Sequence, residues 1–161
     1  MGYVRGILIA AAVWGLTGCS SEVTDPQPGQ PVATRQKLFK AMLREFEPMG
    51  VMLRQGPFEA EQFVGYWRRF AELADQPWPL FRADTCYPPA KVTPQACSDL
   101  SGLQQRAETF RAAVAQLGEQ VAALEAEGGS SGTSERRVAV KQAYDRVYDA
   151  CQECHRGYRK K

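Results

Sequence analysis

Leu100, Leu103, Ala107, Phe110, Val114, Leu117, Val121 and Leu124 follow one another at alternating steps of three and four residues. At 3.6 residues per turn such positions return to one face, so the rhythm predicts a long α-helix with a continuous heptad-like apolar stripe. Strands alternate faces every second residue and do not produce this spacing. A helix cannot bury its own stripe, so the rest of the chain must supply partners for it.

Three other stretches do so. From Ala33 to about Arg54, Leu38, Phe39, Met42, Leu43, Phe46, Met49, Met52 and Leu53 recur at helical spacing, and Thr34 is placed to cap the start. After the breaker "QGP", Phe63, Tyr66, Trp67, Phe70 and Leu73 repeat the pattern until "DQPWP" stops it, since a helix interior does not tolerate proline. Residues 76 to about 95 are rich in proline and read as an ordered loop without regular structure, with the striped helix beginning near Ala96. Beyond the flexible turn "EGGSSGTSE", Thr133 or Ser134 can cap a last helix. Its expected inner face carries Val138, Tyr144, Val147, Tyr148, Cys151, Cys154, His155 and Tyr158. Four amphipathic helices without a strand pattern predict an all-α, antiparallel up-down-up-down four-helix bundle whose core can house a cofactor.

The first residues do not belong to that body. One positive charge in "MGYVRG" precedes "ILIAAAVWGL", an apolar run too short to span a bilayer, and "LTGC" follows. This is the layout of a secretory signal, and Leu16-Thr17-Gly18-Cys19 resembles the bacterial lipobox, whose cysteine becomes the lipidated first residue of the mature chain. Residues 1–18 are therefore expected to be a signal peptide, 19–32 a Pro- and Gly-rich flexible tether, and 33–161 the bundle. Ser20, where inner-membrane retention commonly uses aspartate, directs the expectation to the outer membrane, with the protein on the periplasmic side. Losing Arg5 with the signal leaves 19 basic against 18 acidic side chains. With no basic stripe interleaved with aromatics, nucleic-acid binding is not expected. An apolar content of 44% with 24% charged residues excludes both a disordered chain and a multi-span membrane protein.

In an oxidising compartment each of five cysteines needs a role. Cys19 is assigned to lipid, and Cys86 and Cys97, close together in the Pro-rich segment, to a disulfide. Cys151 and Cys154 remain, in the closing string "CQECHRGYRKK". A C-x-x-C-H string admits thioether attachment of haem, a zinc site or a dithiol redox couple. On a helix Cys151, Cys154 and His155 share one face, as two thioethers and an axial imidazole require. Zinc needs four ligands, and with His155 the only histidine it would have to borrow Cys86, Cys97 or a carboxylate. A thioredoxin-like couple favours a helix N-terminus, whereas this motif lies at the far end of its helix. Haem attachment is thus the reading the rest of the chain favours. A single histidine also leaves the iron's sixth position to Met, to something weaker, or to nothing.

Four features together resemble the class II c-type cytochromes, above all cytochrome c′. They are the C-terminal position of the haem motif, the "CQECHRGYR" ending, the bundle pattern, and the opening "RQKLF" of the first helix. The similarity covers about Ala33 to Lys161, and is strongest at the two ends. It implies one covalent haem c with iron, His155 as proximal ligand, Arg35 and Gln36 beside the haem propionates, Phe39 over the iron's vacant face, and Arg159 near the proximal face. Low-spin relatives use a first-helix Met as sixth ligand, which keeps Met42 and Met49 in view, although Met at helical spacing is also ordinary core filler. The resemblance implies binding of NO or CO, with electron transfer to a periplasmic redox partner as the second function. Members often pair through their first two helices, so a homodimer is a further expectation. No nucleophile or acid/base constellation argues for an enzyme.

Overall fold

A computed structural model describes residues 24–127 and 133–161. The signal peptide expected over 1–18 and the lipidation expected at Cys19 lie outside the described residues. Five helices follow in order: α1 Pro31–Arg54, α2 Ala60–Leu73, α3 Gln95–Ser98, α4 Leu100–Ala126 and α5 Ser134–Tyr158. The four long ones form the antiparallel bundle expected from the apolar periodicity. α1 packs with α2 and α4 with α5, while α2 joins the pairs across α4; α1 and α5 meet only sparsely.

The core lies where these pairs face each other. Phe46 of α1 stacks on Tyr144 of α5 with ring centroids 4.2 Å apart, and Phe70 joins Phe46 at 5.1 Å. Met49, Phe63, Leu117, Val121, Val140 and Val147 close it, all fully buried. Each such side chain contributes about 1.5–3 kcal/mol through removal from water. The stripe on α4 is buried at Leu103, Ala107, Phe110, Leu117, Val121 and Leu124, as its spacing predicts, while Leu100 and Val114 are half-buried and Ala113 joins the buried face.

Several boundaries depart from the sequence reading. α1 begins at Pro31, a good first-turn residue because its missing N–H has no helical partner to lose. Thr34 does not cap it. The carboxylate of Asp25 accepts from Val32 N and Ala33 N at 2.8 and 2.9 Å instead, so the segment expected to be a tether as far as residue 32 is already folded from about Asp25. α1 also runs through Pro48. The striped helix does not start at Ala96. Asp99 accepts from Gly102 N at 2.9 Å, which caps α4 and separates it from the one-turn α3. Thr133 caps α5 through Arg136 N, at 3.1 Å.

The inner faces are also rotated from expectation at their edges. Leu43, Val138 and Tyr148 are 51, 54 and 44% exposed, whereas Val140, Ala143 and Ala150 are buried. Tyr148 is held outward under the Arg54 guanidinium, 5.7 Å from its ring.

The loop between α2 and α4 contains more structure than its prolines suggested. It carries a 3₁₀ turn at Trp78–Leu80, and Cys86–Cys97 closes it as a disulfide with Cα atoms 6.1 Å apart. It also pairs with the C-terminus: Thr93 N donates to Tyr158 O at 2.8 Å, Lys160 N donates to Lys91 O at 3.2 Å, and Val92 bridges Arg159 in antiparallel fashion. Ala96, Leu103 and Tyr158, with Phe81, Cys86, Val92 and Cys154 against them, form a second apolar cluster beneath this clasp. No helix among the described residues is long and apolar enough to cross a membrane.

Candidate functional site

α5 delivers Cys151, Cys154 and His155 in its last two turns, one helical step apart. Cys151 packs against the main core and Cys154 against the second cluster, so the two thiols straddle the seam between them. Both are free, while Cys86 and Cys97 are joined to each other. That disulfide removes the thiols a zinc site would have borrowed. Among the described residues no three His, Cys, Asp or Glu side chains converge to hold a metal by themselves.

The electrostatics suit uncharged donors. Burial, and then the neighbouring Cys154, push the Cys151 thiol up to about 12. Burial also raises Cys154, against the opposing pull of Arg106. His155 is exposed at the helix surface, and partial desolvation followed by the Arg159 guanidinium hold its imidazole below the ordinary histidine range. At neutral pH its ring is uncharged, with a nitrogen lone pair available to a metal.

An aromatic wall borders the same two clusters. The Phe39 ring lies 5.8 Å from Trp78 and 6.2 Å from Phe81, both edge-on. Trp78 continues to Phe110 at 5.4 Å, and its indole N–H donates to Ala74 O at 2.8 Å. Phe39, Trp78 and Cys151 all border the main core; Phe81 and Cys154 border the second cluster. Two thiols one turn apart, an adjacent neutral imidazole and apolar rings bordering the same clusters are groups that would hold a flat, apolar cofactor through two thioethers and an imidazole ligand.

Arg35 and Gln36 are tied to the loop. Arg35 is 2% exposed; its Nη1 donates to Leu80 O at 2.9 Å and to Thr85 Oγ1 at 3.2 Å, its Nη2 to Thr85 O at 3.1 Å, and its guanidinium covers the Phe81 ring at 4.2 Å. Gln36 Nε2 donates to Pro89 O at 3.0 Å. The first-helix "RQ" pair thus fastens the loop that carries the aromatic wall. Met42 and Met49 are buried in the main core. Arg159 caps α5 through its N–H to His155 O at 3.2 Å, with its side chain exposed.

Sequence reasoning missed Trp78, Phe81, Thr85 and Asp25. The signal for the first two is the apolar pair in "PWPLF", inside the segment whose prolines stop the second helix. Asp25 and Thr85 left none: beside local bonds, each meets its long-range partner, Tyr87 or Arg35, 62 and 50 residues away. An open groove beside Arg44, Glu47, Pro48 and Met52 lies at the opposite end of the bundle and gathers no ligating set.

Comparison with known proteins converges on one family. A family profile described as Cytochrome C′ matches residues 30–159. Among solved structures, cytochrome c prime from Shewanella frigidimarina superposes with a TM-score of 0.71 at 23% identity, covering 84% of this chain and 98% of that one. A nitric oxide complex of a cytochrome c prime variant from Alcaligenes xylosoxidans gives 0.70 at 23%, covering 86 and 100%. A carbon monoxide-bound variant of the same protein gives identical values. At such identity these likenesses establish the shared fold. No curated protein matches the chain significantly by sequence.

Proposed function

The chain belongs to the cytochrome c′ family, whose members carry covalently attached haem c with its iron, and from that membership we propose a gas-binding haem protein anchored by lipid on the periplasmic side of a bacterial membrane. In this reading Cys151 and Cys154 form the two thioethers and His155 is the proximal ligand. When bound, the haem supplies an iron centre that takes up a diatomic ligand and changes oxidation state.

The protein's own groups set the conditions for that chemistry. His155 arrives uncharged because partial desolvation, and then Arg159, disfavour the imidazolium. Helical spacing fixes its range from the two sulfurs, so no loop need order on attachment. Phe39 is assigned to the distal face, where a phenyl ring offers no lone pair and so leaves a coordination position open. Trp78 and Phe81 hold that ring from behind and exclude water, so the pocket takes small neutral molecules such as NO and CO and disfavours anions. Arg35 and Gln36 serve the propionate rim as well as the loop, and Arg159 lies beside the proximal ligand. Leu43 and Val51, exposed on α1, are apolar positions that a homodimer would cover. Cys19 carries the lipid, and the outer membrane is the favoured site.

The observation that carries the open distal site is the pairing of Phe39 with the aromatic wall while Met42 and Met49 remain core residues. Absorption spectra of the oxidised and reduced holoprotein test it. High-spin, five-coordinate haem that binds CO is expected. Low-spin haem with a sulfur-to-iron charge-transfer band would transfer the reading to a Met-ligated electron carrier, and colourless protein from a host with a working maturation system would end it.

A further inference from the structure

We infer that the end of the bundle formed by the α1 N-terminus, the disulfide-closed loop and the C-terminus is a docking surface for anionic phospholipid, engaged through Lys91, Arg159, Lys160 and Lys161. This rests on the lipid anchoring proposed at Cys19.

Chain length selects the end. Near the start of the described residues Asp25 is firmly held: its carboxylate accepts from Val32 N, Ala33 N and Gln27 N and from the Tyr87 hydroxyl, and Gln27 Nε2 donates to Asp84 O at 3.0 Å. Six residue steps separate Asp25 from Cys19, at most about 20 Å when fully extended. α4 alone, with 27 residues, is about 40 Å long. A lipid on Cys19 therefore holds the Asp25 end near the headgroups and leaves the far end, where Thr133 caps α5, out of reach.

Charge then selects the occupant. Ala90 N donates to Tyr87 O at 2.8 Å, a turn that precedes Lys91, and the Tyr87 hydroxyl donates to Asp25, which ties this loop to the start of the chain's described part. The Val92–Arg159 bridge and the Lys160 N to Lys91 O bond bring the C-terminal cations to the same place. Lys91, Arg159, Lys160 and Lys161 are all exposed, and none lies within ion-pair distance of a carboxylate among the described residues. Nearby cations are compensated: Arg82 pairs with Asp84 and Arg156 with Glu153. So is Arg136 at the far end, by Glu127. On a mature chain of nearly balanced charge, four unpaired cations at the tethered end form a local excess that complements lipid phosphates. Each contact is weak alone, but the covalent tether keeps the patch at high effective concentration against the surface.

The test uses the lipidated, haem-loaded full-length protein on vesicles of pure phosphatidylcholine or of phosphatidylcholine with phosphatidylglycerol, and reads acetylation of individual lysines by a water-soluble ester. Labelling of Lys91, Lys160 and Lys161 is expected to fall about fivefold or more on the anionic vesicles at low salt, with Lys141 unchanged, and to recover in high salt, where screening shortens to a few ångströms. Equal labelling on both vesicle types overturns the surface. Protection produced by added flavodoxin, used as an acidic protein probe, and not by anionic vesicles overturns it in favour of a protein partner. Failure of the protein to float with either vesicle, with no lipid mass on Cys19, removes the anchoring itself and is a separate result from equal labelling of a floating protein.

Discussion

Phe39 and Asp25 show how much depends on single side chains here. Phe39 is assigned to the open face of the iron and packs on the loop rings of Trp78 and Phe81. Phe39→Ala is expected to accelerate CO association about tenfold or more, equivalent to ~1.4 kcal/mol off the entry barrier, without releasing the haem. Stopped-flow association rates check this, and unchanged rates would remove Phe39 from the ligand path. Asp25 acts at the rim. Desolvation raises its carboxyl, but the Tyr87 hydroxyl and the N–H groups of Ala33, Gln27 and Val32 outweigh that and hold it below the ordinary carboxylate range. Because the folded value lies below the unfolded one, the stabilisation is complete above about pH 4 and is lost as pH falls through the folded value. Asp25→Asn should melt lower at neutral pH and show a flatter acid limb in melts taken across the acid range; parallel limbs would count against this role. Cys151, Cys154, His155 and Phe39 were legible as candidates because motif and helical spacing are local. Asp25 was not, because its role depends on the chain turning back onto the start of α1 and on Tyr87, 62 residues away.

At the scale of elements, α1 and α5 approach closely at one place, Gly50. A Cβ on Gly50 would run into the Tyr144 hydroxyl, and Tyr144 cannot retreat because its ring is stacked on Phe46 and its hydroxyl donates to Phe46 O at 3.3 Å. Gly50→Ala should cost about 1–3 kcal/mol through overpacking, despite alanine's better helix propensity, measurable by denaturant unfolding. Thr133→Ala, which removes the α5 cap, should cost about 1 kcal/mol in the same measurement. The helices were legible from their apolar rhythm. Their ends were less so: Asp99 broke the expected third helix in two, and Asp25 started the first one earlier, both through side-chain acceptors that periodicity does not register.

For the whole molecule the loop decides how the bundle closes around its site. The Cys86–Cys97 bond constrains a short loop, and replacing both residues by serine should lower stability by about 3 kcal/mol on loop-closure grounds. The haem should stay attached, since neither thioether is involved; equilibrium unfolding and a haem-to-protein absorbance ratio measure the two effects separately. A stability change near zero would mean that the Arg35–Thr85 and Thr93–Tyr158 bonds hold the loop without the disulfide.

The order of residues alone determined the all-α class, the four long helices, the cysteine pairing and the clustering of two thiols and an imidazole on one helical face, because each depends on spacing within a few turns or on the chemistry of the compartment. Only tertiary structure decided that the "RQ" pair fastens the loop, that Trp78 and Phe81 stand behind Phe39, and that Lys91 meets the C-terminal cations. Those contacts join residues some 40 to 70 positions apart, and they form where bundle packing brings distant backbone carbonyls and rings within hydrogen-bond or van der Waals range.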